Sequence, residues 1–142
     1  MSTIDSRLLT HTGHLLRRAQ QVHQAAWNAH VSTTISSVQY AALHVVSREP
    51  GASQARLGAT LGLDRSTIAD LVARMVRRGL LARTASADDA RSKSLHVTPD
   101  GAEALADLRP KVDAIEPIVT GGADEHDRAE LHRLLLQIVD GA

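Results

Sequence analysis

The 142-residue chain has no cysteine and no phenylalanine, and its aromatic residues are Trp27 and Tyr40 alone. Without cysteine there is no disulfide, no thiolate metal ligand and no thiol redox switch. With so few rings the core has to be aliphatic, built from Leu, Val, Ile and Ala. No long apolar run occurs and no charged-then-apolar leader follows Met1, so neither a membrane span nor a secretory signal is expected, and a cytoplasmic protein is. Net charge is missing too, since 16 Lys and Arg balance 16 Asp and Glu. The length predicts one domain over 1–142, large enough for a core but small enough that a partner chain is a natural way to bury more surface.

The zero net charge conceals segregation. Residues 54–97 carry eight basic side chains against four acidic ones, whereas residues from 98 onward carry ten acidic against four basic. The middle can meet phosphates and the tail should avoid them. Taken alone, this pattern has a plain alternative, the solvated charged faces of Ala-rich helices.

Residues 53–99 organise the rest. Residues 54–61 form a short helical pattern with Leu57 and Leu61 on one face, and Ser53 before them can cap the first turn. Gly62 and Leu63 break that helix and Asp64 restarts it. The second helix, 65–78, spaces Ile68, Leu71, Val72, Met75 and Val76 by three and four residues, which leaves Arg65, Ser66, Thr67, Asp70, Arg74 and Arg77 on the opposite side. Gly79 closes it. Residues 80–84 and 93–97 alternate as two strands around a polar tip at 85–92. Helix, turn, helix and hairpin make a winged helix-turn-helix, whose second helix enters the major groove. The fold class is therefore mostly α with a small β wing.

At these residues the chain resembles the MarR family of bacterial transcription regulators. The resemblance rests on the run 62–75, on Arg78-Gly79-Leu80-Leu81-Ala82-Arg83, on the wing Asp89-Ala90-Arg91 and on Val97-Thr98-Pro99-Asp100-Gly101, and it extends over nearly the whole chain. Two departures stand out. The middle wing position, often arginine in the family, is Ala90, and Pro110 and Pro117 interrupt a helix that is usually long and unbroken. The resemblance implies a lobe at 36–98 flanked by dimerisation helices at 1–35 and 99–142. It further implies a two-fold dimer with two reading helices on a near-palindromic double-stranded operator.

The flanks fit helices on their own terms. Residues 5–30 read as one long helix capped by Asp5 or Ser6, with Leu8, Leu9, Thr12, Leu15, Leu16, Ala19, His23, Ala26, Trp27 and His30 on one side. Ser36 or Ser37 caps a second helix over 38–48. Thr98-Pro99 starts another that bends before Pro110 and breaks at Gly121-Gly122, and Asp124 starts the last, holding Leu131, Leu134, Leu135, Ile138 and Val139. These terminal faces hold more apolar surface than the lobe needs. A homodimer would bury it; folding back on the chain's own core is the alternative.

For DNA the candidates are Arg65, Ser66 and Thr67 in the first turn of the reading helix, with Arg74 and Arg77 further along. Ser66 and Thr67 also suit local capping or a phosphate contact, and Asp70 either orients an arginine or is solvated. In the wing, Asp89 and Arg91 match the family pattern, in which the aspartate steadies an arginine that enters the minor groove. Ser92 and Lys93 are phosphate candidates. Thr12, His23 and His30 interrupt an apolar helix face near Trp27, and Tyr40 and His44 lie one turn apart on the second helix. Thr12, His23, Trp27, Tyr40 and His44 are the candidate small-molecule contacts, the alternative being packing residues with satisfied polar tips. The resemblance adds the ligand class, small aromatic acids or related anions held between dimer layer and lobe.

Metal regulation is not expected: His11 and His14 are three apart, His126 and His132 six apart, and the helix after the wing lacks the histidine pair of the family's zinc sensors. No catalytic framework or phosphate loop can be picked out, so neither enzyme activity nor a cofactor is expected. The reading is a ligand-responsive repressor released from DNA by an aromatic acid or its thioester. The alternatives are an activator, a ligand-independent regulator, or a helical interaction module that does not bind DNA.

Overall fold

The structure, a computed structural model, describes residues 6–85 and 93–142, Lys93 by its backbone alone. Among the described residues there are seven α-helices and a two-stranded antiparallel sheet, so the expected mostly helical fold with a small wing is the observed one. The chain divides into two compact units, residues 32–111 and the paired terminal segments 1–31 and 112–142. Most of α5 thus groups with the lobe, whereas the sequence places the division at residue 98.

The first unit, 32–111, is built around α2 (Ser37–Arg48), α3 (Gln54–Leu61), α4 (Arg65–Arg77), β1 (Leu81–Ala85), β2 (Lys93–Val97) and the start of α5 (Pro99–Ala114). Each of its first three helices has a side-chain cap that satisfies a backbone N–H left free in the first turn. Ser36 accepts from the Gln39 N–H while Gln39 reaches back to the Ser36 N–H, a complete capping box. Ser53 accepts from the Arg56 N–H at 3.0 Å, and Asp64 from that of Thr67 at 2.7 Å. Between α3 and α4 the chain turns at Gly62, whose φ of 67° is left-handed and costs glycine nothing. Leu43, Val46, Leu57, Ile68, Val72, Met75, Leu81 and Leu95 are buried, an aliphatic interior as the composition requires.

The hairpin pairs Leu81 with Val97 and Ala85 with Lys93. At its base the Leu95 N–H donates to Ala52 O and the Gly51 N–H to Leu95 O, both at 2.9 Å, which fastens the α2–α3 turn to β2. Thr98 forms the corner into α5: its hydroxyl donates to Gly79 O and accepts from the Gly101 N–H. A Cβ on Gly101 would lie 2.1 Å from Leu80 O, so only glycine lets α5 approach the backbone there.

The second unit holds α1 (Thr12–His30), α6 (Glu116–Val119) and α7 (Glu125–Asp140), with the end of α5. Here the sequence expectation needs two corrections. The single helix expected over 5–30 is instead a 3-10 turn at Leu8–Thr10 followed by α1, separated by His11 in an extended conformation, and α1 has no side-chain cap. The Thr10 hydroxyl donates to Arg7 O at 2.7 Å, a local bond that competes with helix continuation. Asp5 lies outside the described residues. The helix after the wing is expected to run to Gly121-Gly122 with a bend before Pro110; instead Pro110 sits within α5, and the helix already breaks at Ile115. Pro117 has no N–H for the Asp113 carbonyl and crowds the turn before it, so the helix ends and α6 restarts with proline in its first turn. Asp124 caps α7 through the Asp127 N–H, as its position predicts.

Candidate nucleic-acid interface

Helix α4 separates its two faces completely. Ile68, Val72 and Met75 are buried, while Arg65, Ser66, Thr67, Asp70, Arg74 and Arg77 all lie outside the buried set. Among the described residues no acidic side chain pairs with Arg65, Arg74 or Arg77, nor with Arg83 on β1. Arg56 is different. Its Nε lies 3.2 Å from Glu49 Oε2, and that hydrogen bond, reinforced by the charge of Glu49, raises its pKa further. Among the described side chains the basic excess of the middle segment therefore reduces to an open cationic face on and beside α4, with Arg56 compensated.

The entrance to α4 is more tightly organised than its exposure suggests. Asp64 accepts from the Thr67 N–H and, at 3.1 Å, from the Ser66 hydroxyl. Its carboxyl is held below the usual range first by the Thr67 backbone N–H, then by the side chains of Thr67 and Ser66. Local capping thus engages both hydroxyl residues proposed from sequence.

Thr67, Asp70 and Arg74 line a shallow hollow of about 380 Å³ together with Ser36, Gln39 and Leu63. Arg65 and Arg77 are outside it. The structure also adds Arg78, which the sequence reading did not single out: its guanidinium donates to Thr34 O and to Gln39 Oε1, tying the end of α4 to the entrance of α2. The Ser36-x-x-Gln39 spacing is a legible capping signal, but the partner of Arg78 is about forty residues away and no local pattern reports it. The wing candidates Asp89, Arg91 and Ser92 lie outside the described residues, and Lys93 is fixed by its backbone pairing with Ala85.

The proposed small-molecule contacts divide between the units. On α1 Thr12 is exposed, His23 is half-buried and Trp27 is buried, with the His23 ring edge-on to the indole at 6.1 Å between centroids. On α2 Tyr40 is half-buried and His44 is exposed. The histidines considered for metal have other neighbours: His14 Nδ1 faces Arg17 Nη2 at 2.8 Å and His132 Nε2 faces Glu116 Oε1 at 3.2 Å. Among the described residues no three His, Asp or Glu side chains gather into a metal-sized group, and no helix is long and apolar enough to cross a membrane.

Large apolar side chains remain uncovered on the terminal helices. They include Leu15, Leu16 and Val22 on α1 and Leu134, Leu136, Ile138 and Val139 on α7, the last 69% exposed. No residue of α7 is buried.

Comparison with known proteins points one way. A MarR family profile matches residues 33–92. The transcriptional regulator HosA of Escherichia coli is 31% identical over 126 residues, spanning 89% of this chain and 90% of HosA. The PcaV transcriptional regulator of Streptomyces coelicolor, solved with its natural ligand, is 36% identical and superposes with a TM-score of 0.90, covering 99% of this chain and 98% of PcaV. BpsR of Bordetella bronchiseptica, whose DNA binding is regulated by 6-hydroxynicotinic acid, is 26% identical with a TM-score of 0.87, covering 92% of this chain and 94% of BpsR.

Proposed function

The chain belongs to the MarR family of transcription regulators, and from that membership we propose that it is a homodimeric repressor that leaves its operator when it binds a small organic acid. The observation that carries the DNA-binding part is the open cationic face of α4. A helix that buries Ile68, Val72 and Met75 and presents Arg65, Arg74 and Arg77 free of acidic partners among the described residues can sit in a major groove without first breaking internal ion pairs. In this reading Arg65, Ser66 and Thr67 reach base edges, Arg74 and Arg77 meet phosphates or bases further along, and Asp70, which lines the same hollow as Arg74, orients it. Arg91 with Asp89 serves the minor groove, and Ser92 and Lys93 serve the flanking phosphates.

Dimerisation is supported by the uncovered apolar faces of α1 and α7, which a second copy would remove from water. The effector reading is supported by PcaV, solved with its natural ligand, and by BpsR, whose DNA binding is regulated by 6-hydroxynicotinic acid. Its candidate contacts are Thr12, His23 and Trp27 on α1 and Tyr40 and His44 on α2, with an aromatic acid or its thioester as the ligand class. A ligand releases DNA only if it binds the DNA-free arrangement more tightly than the DNA-bound one.

A gel shift on the DNA upstream of the gene tests the reading. A retarded band lost on adding the effector, and preserved in the presence of excess random DNA, is expected. A chain that retards no fragment of its own upstream region would leave only the interaction-module alternative.

A further inference from the structure

A second hollow lies wholly within the 32–111 unit, at the foot of the wing, about 290 Å³ in volume. Its walls are the end of α2 (Val46, Ser47), the base of β2 (His96, Val97) and one flank of α5 (Leu105, Ala106, Arg109). None of the small-molecule contacts proposed above lines it. The floor is apolar. Its polar groups are few and of one kind: Arg109 and His96 have no hydrogen-bond or ion-pair partner among the described residues, whereas the Ser47 hydroxyl is committed to His44 O at 2.7 Å. Among the described residues no acidic side chain lines the hollow, and neighbouring Asp107 is occupied by Lys111 at 3.5 Å.

A concave apolar floor with one unpaired guanidinium and one imidazole is the recognition chemistry of a small amphiphilic anion. The guanidinium takes a carboxylate in a two-bond fork, the floor takes a ring, and the imidazole supplies one further hydrogen bond. The volume suits a single ring and is too small for a nucleotide-sized ligand. We infer that this hollow, walled by His96 and Arg109, is a second binding site for a monocyclic carboxylic acid, separate from the α1 and α2 residues proposed above. Because His96 and Val97 belong to β2, paired with Ala82 and Leu81, an occupant touches the hairpin at its root.

The site can be tested without DNA, so its failure and that of the regulator reading are distinguishable. Two-dimensional amide NMR of the full chain titrated with benzoate is expected to show saturable shifts at Ser47, His96, Val97, Ala106 and Arg109. Arg109→Gln should weaken them about tenfold, the loss of one charge-assisted pair. Ala106→Leu, at an exposed position, should fill the hollow and abolish the shifts while leaving the rest of the spectrum in place. His23→Ala with Trp27→Ala should leave them unchanged. Acetate, which has the charge but no ring, should produce none at equal concentration. The inference is overturned if benzoate leaves these amides unmoved at millimolar concentration, if acetate moves them equally, or if Arg109→Gln and Ala106→Leu bind benzoate as the wild type does.

Discussion

Two residues show how much can rest on a single position. Gly101 was legible in the sequence only as part of a family pattern; its physical reason is a backbone approach that leaves 2.1 Å between a would-be Cβ and Leu80 O. Since the obstacle is backbone and cannot rotate away, Gly101→Ala should destabilise the fold by roughly 3 kcal/mol, the upper end of ordinary overpacking. A urea midpoint equal to that of wild type would contradict it. Asp64 was readable as a helix start, and the structure adds that its carboxylate gathers Thr67 and Ser66. Its pKa is lowered in the folded state, so its contribution is fully present above the ordinary carboxylate pKa of about 4 and is lost as pH falls through the lower folded value. The melting-temperature gap between wild type and Asp64→Ala should therefore persist at neutral pH and close only in acid; a gap that closes on raising the pH would contradict this sign.

At the scale of elements, the sequence was most informative where local chemistry decides. Ser53, Asp64 and Asp124 cap the helices they precede, Ser36 caps α2, and Gly62 turns left-handed, because caps and turns depend on residues within a few positions. It was less informative where distant or weak preferences compete. Nothing in 5–30 announces the extended backbone at His11, and Gly121-Gly122 is the stronger local stop signal, although the helix already breaks at Ile115, ahead of Pro117. Arg78 is the instructive case for the candidate site, since its partners on Thr34 and Gln39 are fixed by tertiary packing. Its guanidinium is occupied by protein oxygens, so Arg78→Ala should lower DNA affinity by loosening α4 while leaving the salt dependence unchanged. Arg91→Ala should instead reduce the slope of log K against log salt by about 0.9 for each phosphate the side chain no longer neutralises. A fall in slope for Arg78→Ala would make that residue a phosphate ligand and refute its positioning role.

For the whole molecule, charge segregation and the apolar terminal faces were both visible in the sequence, but only the structure shows that α7 buries none of its residues within this chain. A dimer explains that exposure. Sedimentation should find two chains per particle at micromolar concentration, and Leu134→Asp with Ile138→Asp should shift the particle towards monomer, whereas a wild-type monomer would remove the dimer from the account. The central claim is that the exposed face of α4 reads a sequence. The most direct measurement is fluorescence anisotropy of wild type and Arg65→Ala on the upstream operator and on random DNA of equal length and salt. The account predicts tight wild-type binding to the operator, and a loss of about 1 to 3 kcal/mol of discrimination in Arg65→Ala with binding to random DNA nearly retained. Equal wild-type affinity for both DNAs, or an equal loss on both in Arg65→Ala, would contradict it.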